Sequence, residues 1–406
     1  MMTNTSAWAQ HLMASPTLAI KSVAEQLRNS GKAIYDFGIG EMNPEVQIPA
    51  VLKTGIIDAL QEDATHYSPA AGDQELRSAI SDDLSYFQQP YSSEQIAICP
   101  GPKDAFFKAC LAILNPQARR HRLLAFAPVY EAYYNVPQLL TGKAPILLPT
   151  DKQMHPEPDR LSRELAADNS IAVVVINSPN NPSGAVYPAK LLQEIAKVVS
   201  KYPDIWILSD DVYRTIIYNA IDYQSITTYL PEQTLLIGGA SKEASGTGLR
   251  LGFVAGPSGV VDTIANINGN TSSCVNLPTQ KGYARFLRSD GDFQERSRIR
   301  DQLATRQLRL LETFKTAAPQ AKWHPPEGAF YFFPNMEAYL GQKTPQGQRL
   351  DSDESLATYL LYQAGVVTIP GSKFFRSGHL RFAYAVSENV IVAGMESLAV
   401  ALADLR

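Results

Sequence analysis

The stretch GGASKEASGTGLRLGF (238–253) holds one lysine, Lys242, and one arginine eight positions later, Arg250, with small and hydroxyl residues between them. A strand-like run, TLLIGG, leads in, and a second, RLGFVAG, leads out. An amine at the end of a strand can condense with a carbonyl when burial and nearby cations depress its pKa. An arginine close by can fork onto a phosphate. The chemistry offered is retention of a carbonyl cofactor that carries a phosphate. The plain alternative is a solvated loop of turn formers with an exposed lysine, and the rest of the chain must decide.

The elements that would position these residues follow from periodicity. Between about residues 94 and 256, short β-branched runs alternate with helical patterns. EQIAIC (94–99), RLLAFA, APILLP (144–149), IAVVVI (171–176), IWILSD (205–210), TLLIGG and RLGFVAG (250–256) read as strands. KDAFFKACLAIL (103–114) and PAKLLQEIAKVVS (188–200) read as helices between them. Near-continuous apolar strands alternating with helices predict an α/β domain whose mainly parallel sheet is covered on both faces.

Ligands in such sheets collect at the carboxyl ends of the strands. Those ends carry an amide (Asn181, in NSPNNPSG), a carboxylate followed by a phenol (Asp210 and Tyr213), the helix start PGPKD (100–104), and Lys242. Each has an ordinary alternative: a turn sequence, a capping aspartate, a core tyrosine.

After residue 290 the pattern changes to that of a smaller α+β unit. A charged amphipathic segment (292–318) precedes AFYFFP (329–334), GVVTIP (365–370), HLRFAYA (379–385) and a last helix over 387–405. Arg296, Arg298, Arg300, Arg306 and Arg309 read as the solvated face of the long helix.

The 406 residues are 45% apolar and 19% charged, which fits a soluble globular protein of two domains. A net charge of −4 without like-charge blocks argues against nucleic acid or an anionic membrane as partner. No run is long enough to span a membrane, and the N-terminus shows no secretory pattern. Cys99, Cys110 and Cys274 are widely spaced, which points to small buried residues in a reducing cytoplasm. The histidines lack ligand spacing, so no metal site is expected.

Taken together, Asn-Asn-Pro-Ser-Gly, then Asp-x-x-Tyr, then Ser-Lys with arginine at +8 resemble the pyridoxal-phosphate-dependent aminotransferases of fold type I, the aspartate-aminotransferase-like class I/II group. The resemblance runs from SPTLAI near residue 15 to the last helix. It implies pyridoxal 5′-phosphate as cofactor, a large domain over 48–290, and a small α+β domain from 1–47 with 291–406. It also implies roles. Lys242 would form the internal aldimine and shuttle the Cα proton. Asp210 would pair with the ring nitrogen, and Tyr213 and Asn181 would donate to the ring oxygen. Gly101, Pro102, Lys103, Ser241 and Arg250 would hold the phosphate, and Tyr130 would stack on the ring. Tyr67 would reach the phosphate of a neighbouring subunit, which implies a homodimer with shared sites. Arg381 and Gly40 would face the substrate α-carboxylate, with Asn181 beside them.

The activity so implied is ping-pong transfer of an amino group from an α-amino acid to a 2-oxo acid. A β- or γ-eliminating lyase on the same fold is the alternative, and a non-catalytic cofactor-binding module a more remote one. The chain also departs from the family pattern. Proline follows Glu41 two places late, in GEMNPE; Pro102 removes an N–H from the phosphate turn; and Gly239 stands where a serine is common. An acidic substrate would need a further cation for its distal group. Lys103, Lys108 and the arginines after 290 are the candidates.

Overall fold

The computed structural model describes residues 16–42, 45–291 and 293–406. The first fifteen residues and Pro44, the late proline, lie outside the described residues.

A two-residue strand, β1 (Tyr35–Asp36), comes first. Seven strands then build the main sheet: β2 (Ile96–Cys99), β3 (Arg122–Ala127), β4 (Ile146–Pro149), β5 (Ile171–Asn177), β6 (Trp206–Asp210), β7 (Thr234–Gly238) and β8 (Gly252–Ala255). Their spatial order is β2-β8-β7-β6-β5-β3-β4. The neighbours from β4 to β7 pair in parallel, as expected, whereas β8 runs antiparallel to both β2 and β7. The reversal has a local cause. The only α-helix between β7 and β8 spans four residues, Ala240–Glu243, too few to carry the chain back along the sheet.

Every residue of β5 is buried. Val173 and Val175 enter one core with Phe106 and Val261, while Val174 and Ile176 enter the opposite one with Leu161 and Leu192. Burial on both faces is why this strand is an unbroken apolar run. The helix Pro102–Ile113 leaves β2 through Gly101, whose φ of 96° is open to glycine at little cost. Pro102 takes the first helical position, where its missing N–H is one the helix would leave unpaired.

Four short strands follow: β9 (Tyr331–Phe332), β10 (Val366–Val367), β11 (Ile369–Pro370) and β12 (Leu380–Ala383). The order β11-β12-β9 forms an antiparallel sheet, and β10 pairs in parallel with β1. The run GVVTIP is therefore divided between two sheets. Val366 pairs with Tyr35, and three residues later Ile369 pairs with Arg381. Helix Gln294–Ala317 packs along helix Glu388–Ala403.

Two sequence expectations are corrected here. Arg298, Arg300 and Arg309 do reach solvent, but Arg296 and Arg306 are buried. Arg296 lies between Asp83 and Asp290, and Arg306 pairs with Glu45. A guanidinium is tolerated inside when carboxylates come with it, and helical periodicity does not show such distant partners. Cys99 and Cys110 are buried as expected, whereas Cys274, in the turn between two helices, is partly exposed; all three are free thiols. Among the described residues no helix is long and apolar enough to cross a membrane.

Candidate active site

A cleft of about 550 Å³ opens where the carboxyl ends of β5, β6 and β7 meet the C-terminal sheet. Gly40, Pro102, Lys103, Tyr130, Asn181, Asp210, Tyr213, Ser241, Lys242, Arg250 and Arg381 all line it. Of the residues singled out from sequence, Gly101 and Tyr67 are missing from the lining. Gly101 lies directly behind it, so close to Arg250 that a Cβ would sit 2.4 Å from Nη2. Tyr67 is 87% exposed and borders a separate cavity with His66, Cys274, Leu277 and Pro278.

Register places the polar strand ends. Asn177 and Asp210 are paired residues at the ends of β5 and β6. The Asn177 amide donates to the Asp210 carbonyl at 2.9 Å, and its oxygen accepts the Asn181 N–H at 2.8 Å. The buried Asp210 carboxylate accepts the Tyr133 hydroxyl at 2.6 Å. Burial pushes its pKa up to about 6, against the pull of the Tyr133 and Val212 donors; the neighbouring Asp211 charge adds to the rise. The Lys242 charge offsets the burial only in part, and among the described residues no salt bridge reaches this carboxylate; a protonated ring nitrogen would supply a direct cationic partner.

Lys242 sits in the four-residue helix just past β7, and its amine donates to the Gly40 carbonyl at 2.6 Å. Burial lowers its pKa to about 8; Arg381 and Arg250 push the same way, and Glu41 and Asp210 oppose them. A lysine so placed is neutral often enough near pH 7–8 to act as nucleophile or base.

Arg381 projects from β12 and is buried. Its Nη1 donates to Asn181 Oδ1 at 3.2 Å and its Nη2 to the Gly38 carbonyl at 2.6 Å, while Nε has no partner among the described residues. The guanidinium lies 4.8 Å from the centre of the Tyr331 ring, and the Tyr331 hydroxyl is 2.8 Å from that of Tyr213.

The donor set fits a phosphorylated pyridine aldehyde. Glycine at 101, the N-terminus of helix Pro102–Ile113 and Arg250 form a cationic cradle. Beside it the buried Ser241 hydroxyl has no partner among the described residues. Lys103, in the same first turn, is 3.3 Å from Glu131, and its amine sits 5.2 Å from the centre of the Tyr130 ring. Lys108 is not in the cleft: it is buried against Asn268, Ser272 and Asp104. Of the arginines after residue 290, Arg381 alone lines the cleft.

Several lining residues escaped the sequence reading: Tyr133, Asn177, Tyr331, Glu131, Glu41 and Thr247. Asn177 was within reach, because it directly follows the anticipated strand IAVVVI (171–176). Tyr133 lies three residues after Tyr130, a spacing that can share one helical face. Tyr331 offered no signal, being one aromatic among several in AFYFFP.

A parallel-sheet α/β fold with a depressed lysine, a buried carboxylate and a phosphate cradle at adjoining strand ends defines a pyridoxal-phosphate enzyme of fold type I. The sequence pattern of the class I and II aminotransferases matches residues 32–398, and the chain belongs to that family. A probable aspartate/prephenate aminotransferase of Aquifex aeolicus is 32% identical over 399 residues, spanning 97% of this chain and 98% of that protein. An aspartate aminotransferase of Rhizobium meliloti is 30% identical over 95% of this chain and 93% of its own length. Among solved structures, the R. meliloti aspartate aminotransferase superposes with a TM-score of 0.92 at 26% identity, each chain covered fully. The Thermus thermophilus enzyme with maleate superposes at 0.89 and 27% identity, over 98% of this chain and all of that one. The protein is thus a pyridoxal-phosphate-dependent aminotransferase acting on amino acids and 2-oxo acids. These relatives are named for amino-group transfer, which does not favour the eliminating alternative.

Proposed function

We propose that this aminotransferase takes a dicarboxylic amino acid, aspartate or glutamate, as donor and a 2-oxo acid as acceptor. The observation that carries the reading is the division of labour among the cleft's four cations, Lys103, Lys242, Arg250 and Arg381. Arg250 belongs to the phosphate cradle, Lys242 to the reaction, and Arg381 to the α-carboxylate. Lys103 remains for a distal carboxylate, which would displace Glu131 from it. The names of the relatives, and maleate in one of their structures, support a dicarboxylate.

Pyridoxal 5′-phosphate supplies, when bound, the group that accepts the amine and the ring that draws electrons from Cα. The chain's own residues do the rest. Arg381 grips the α-carboxylate with its planar fork and so sets which Cα bond is presented. Lys242, its pKa brought to about 8, removes the Cα proton and returns one. Asp210 would hold a proton on the ring nitrogen by its charge. Tyr213 and Asn181 would donate to the ring oxygen, with Tyr331 holding the Tyr213 hydroxyl. Ser241, Gly101, Pro102 and Arg250 would retain the phosphate, and Tyr130 would cover the ring.

The reading extends to the assembly. Tyr67 stands outside its own cleft, so we assign it to the phosphate of a partner's site in a homodimer; its exposure supports this. We assign 48–290 to the cofactor-binding domain and 1–47 with 291–406, as far as those residues are described, to the small one; the pairing of β1 with β10 supports joining the two stretches. A reducing cytoplasm is the setting, supported by three free cysteines.

The test is a screen of amino donors against 2-oxoglutarate, oxaloacetate and pyruvate. Aspartate or glutamate should exceed alanine in kcat/KM by at least about tenfold, the worth of one added charged hydrogen bond. Alanine or an aromatic donor in the lead would overturn the dicarboxylate reading while leaving transamination intact.

A further inference from the structure

We infer that Arg214 and Glu243 are positioning residues, which hold Tyr213 and Lys242 in place from behind through a buried cluster of charges. Three cleft residues are each followed by a buried ionisable residue that does not line the cleft: Asp210 by Asp211, Tyr213 by Arg214, and Lys242 by Glu243. The followers are 2%, 3% and 2% exposed. They meet one another. Glu243 Oε2 lies 3.5 Å from Arg214 Nη2, and Glu243 also accepts the Tyr283 hydroxyl. Gln89, fully buried, bridges the other two: it accepts from Arg214 at 3.5 Å and donates to Asp211 at 3.2 Å. From Arg214 the cluster runs to Asp83 at 2.6 Å, on to Arg296 at 2.6 Å, and ends at Asp290, 2.8 Å from Arg296. It therefore ties the end of β6, the turn after it and the Lys242 helix to the first turn of helix Gln294–Ala317.

Stiffness is the physical consequence. Buried charges are tolerated only in geometries that satisfy them, so a small shift of Glu243 or Arg214 would leave a charge unpaired in a dry interior. Each of the two is one peptide unit from a reactive side chain. The restraint passes directly to Lys242 and Tyr213, whereas Arg381, on β12, is outside the cluster. The charged groups near Lys242 on the cleft side, Glu41, Asp210, Arg250 and Arg381, are left in place by changing Arg214 or Glu243. Arg214→Lys also keeps the charge behind the site, so a change in how Lys242 titrates in that variant reports its position, whereas Glu243→Gln adds the loss of a neighbouring charge.

The inference rests on the role proposed above for Lys242. It is tested on the holoenzyme with Glu243→Gln, Glu243→Asp, Arg214→Lys and Lys242→Ala. The readouts are the bound cofactor's visible absorbance against pH, kcat and KM for the amino donor, and thermal unfolding. Glu243→Gln and Arg214→Lys should each lower kcat by about 10–100-fold and move the absorbance midpoint by about half a pH unit or more, a loss typical of small misplacement. KM should stay within about threefold, since the carboxylate fork is untouched. Glu243→Asp should recover part of kcat and of the midpoint. A lowered Tm with unchanged kcat and midpoint would reduce the cluster to scaffold and overturn the inference. If Glu243→Gln fails to fold, Arg214→Lys, which keeps the charge and loses the fork, decides by the same readouts. Lys242→Ala separates the two ideas. A variant that keeps the wild-type pH-dependent absorbance refutes the role of Lys242 itself, whereas its loss, with the cluster variants unchanged, refutes only the positioning.

Discussion

Asp210 shows how a reactive residue can cost stability. Its folded pKa of about 6 lies above the ordinary 3.8, so the folded chain holds this proton more tightly than the unfolded chain does. The sign follows: this group's contribution is full below about pH 4 and is lost as pH rises through 6. Asp210→Asn should therefore stabilise the cofactor-free protein at pH 7–8 by about 1–2 kcal/mol, discounted from the full linkage value for the imperfect amide. It should also slow Cα deprotonation in the loaded enzyme by at least about 100-fold. Urea unfolding at pH 4 and pH 8 checks the first, and single-turnover kinetics the second; a destabilised variant at pH 8 would contradict the burial argument. Lys103→Met addresses specificity. It should cut kcat/KM for aspartate by about 10–100-fold and leave alanine nearly unchanged, as the loss of one charge-assisted contact requires. At this scale the motif residues were legible, because each carries its chemistry in its type. Tyr133, Tyr331 and the Arg214–Glu243 pair were not, because a buried tyrosine or ion pair takes its meaning from partners up to about 200 residues distant, as Asp83 and Arg296 are from one another.

The main-sheet strands and the four helices read from the sequence were legible from period and apolar run, within a residue or two at the ends. Helices such as Ala50–Gln61, Gln74–Tyr86, Ser258–Thr271 and Leu277–Ser289 were not read. The antiparallel course of β8 was not read, although the shortness of the link before it carried the information. Gly239 shows how an element explains a departure. With φ at 151° it passes so close to β8 that a Cβ would lie 2.6 Å from the Gly252 Cα and from the Leu251 carbonyl. The serine that the family resemblance leads one to expect has no room on this backbone. Gly239→Ser should destabilise the protein by about 2–4 kcal/mol through backbone strain and overpacking, and weaken cofactor retention rather than add a phosphate donor. Thermal unfolding with and without cofactor measures both effects; tighter cofactor binding in the variant would show that the backbone relaxes and the site gains the hydroxyl.

At the scale of the whole molecule, the proposed homodimer is tested through Tyr67, which is exposed and stands outside its own cleft. Mixing Tyr67→Ala with Lys242→Ala under exchange conditions should form heterodimers in which one site carries neither lesion. Activity should rise above either parent, toward about a quarter of wild type if subunits assort at random. A dilute monomer with full specific activity would contradict the shared site. The change of pattern after residue 290 was visible in the sequence, while the pairing of β1 with β10 was not read, since the two residues of β1 leave no periodic trace. The account turns on a single attachment point, and one measurement reaches it directly. Reducing the loaded enzyme with borohydride and mapping its peptides should place the cofactor label on Lys242 and leave Lys103 and Lys108 unlabelled. A label on any other lysine, with Lys242 unmodified, would contradict the account.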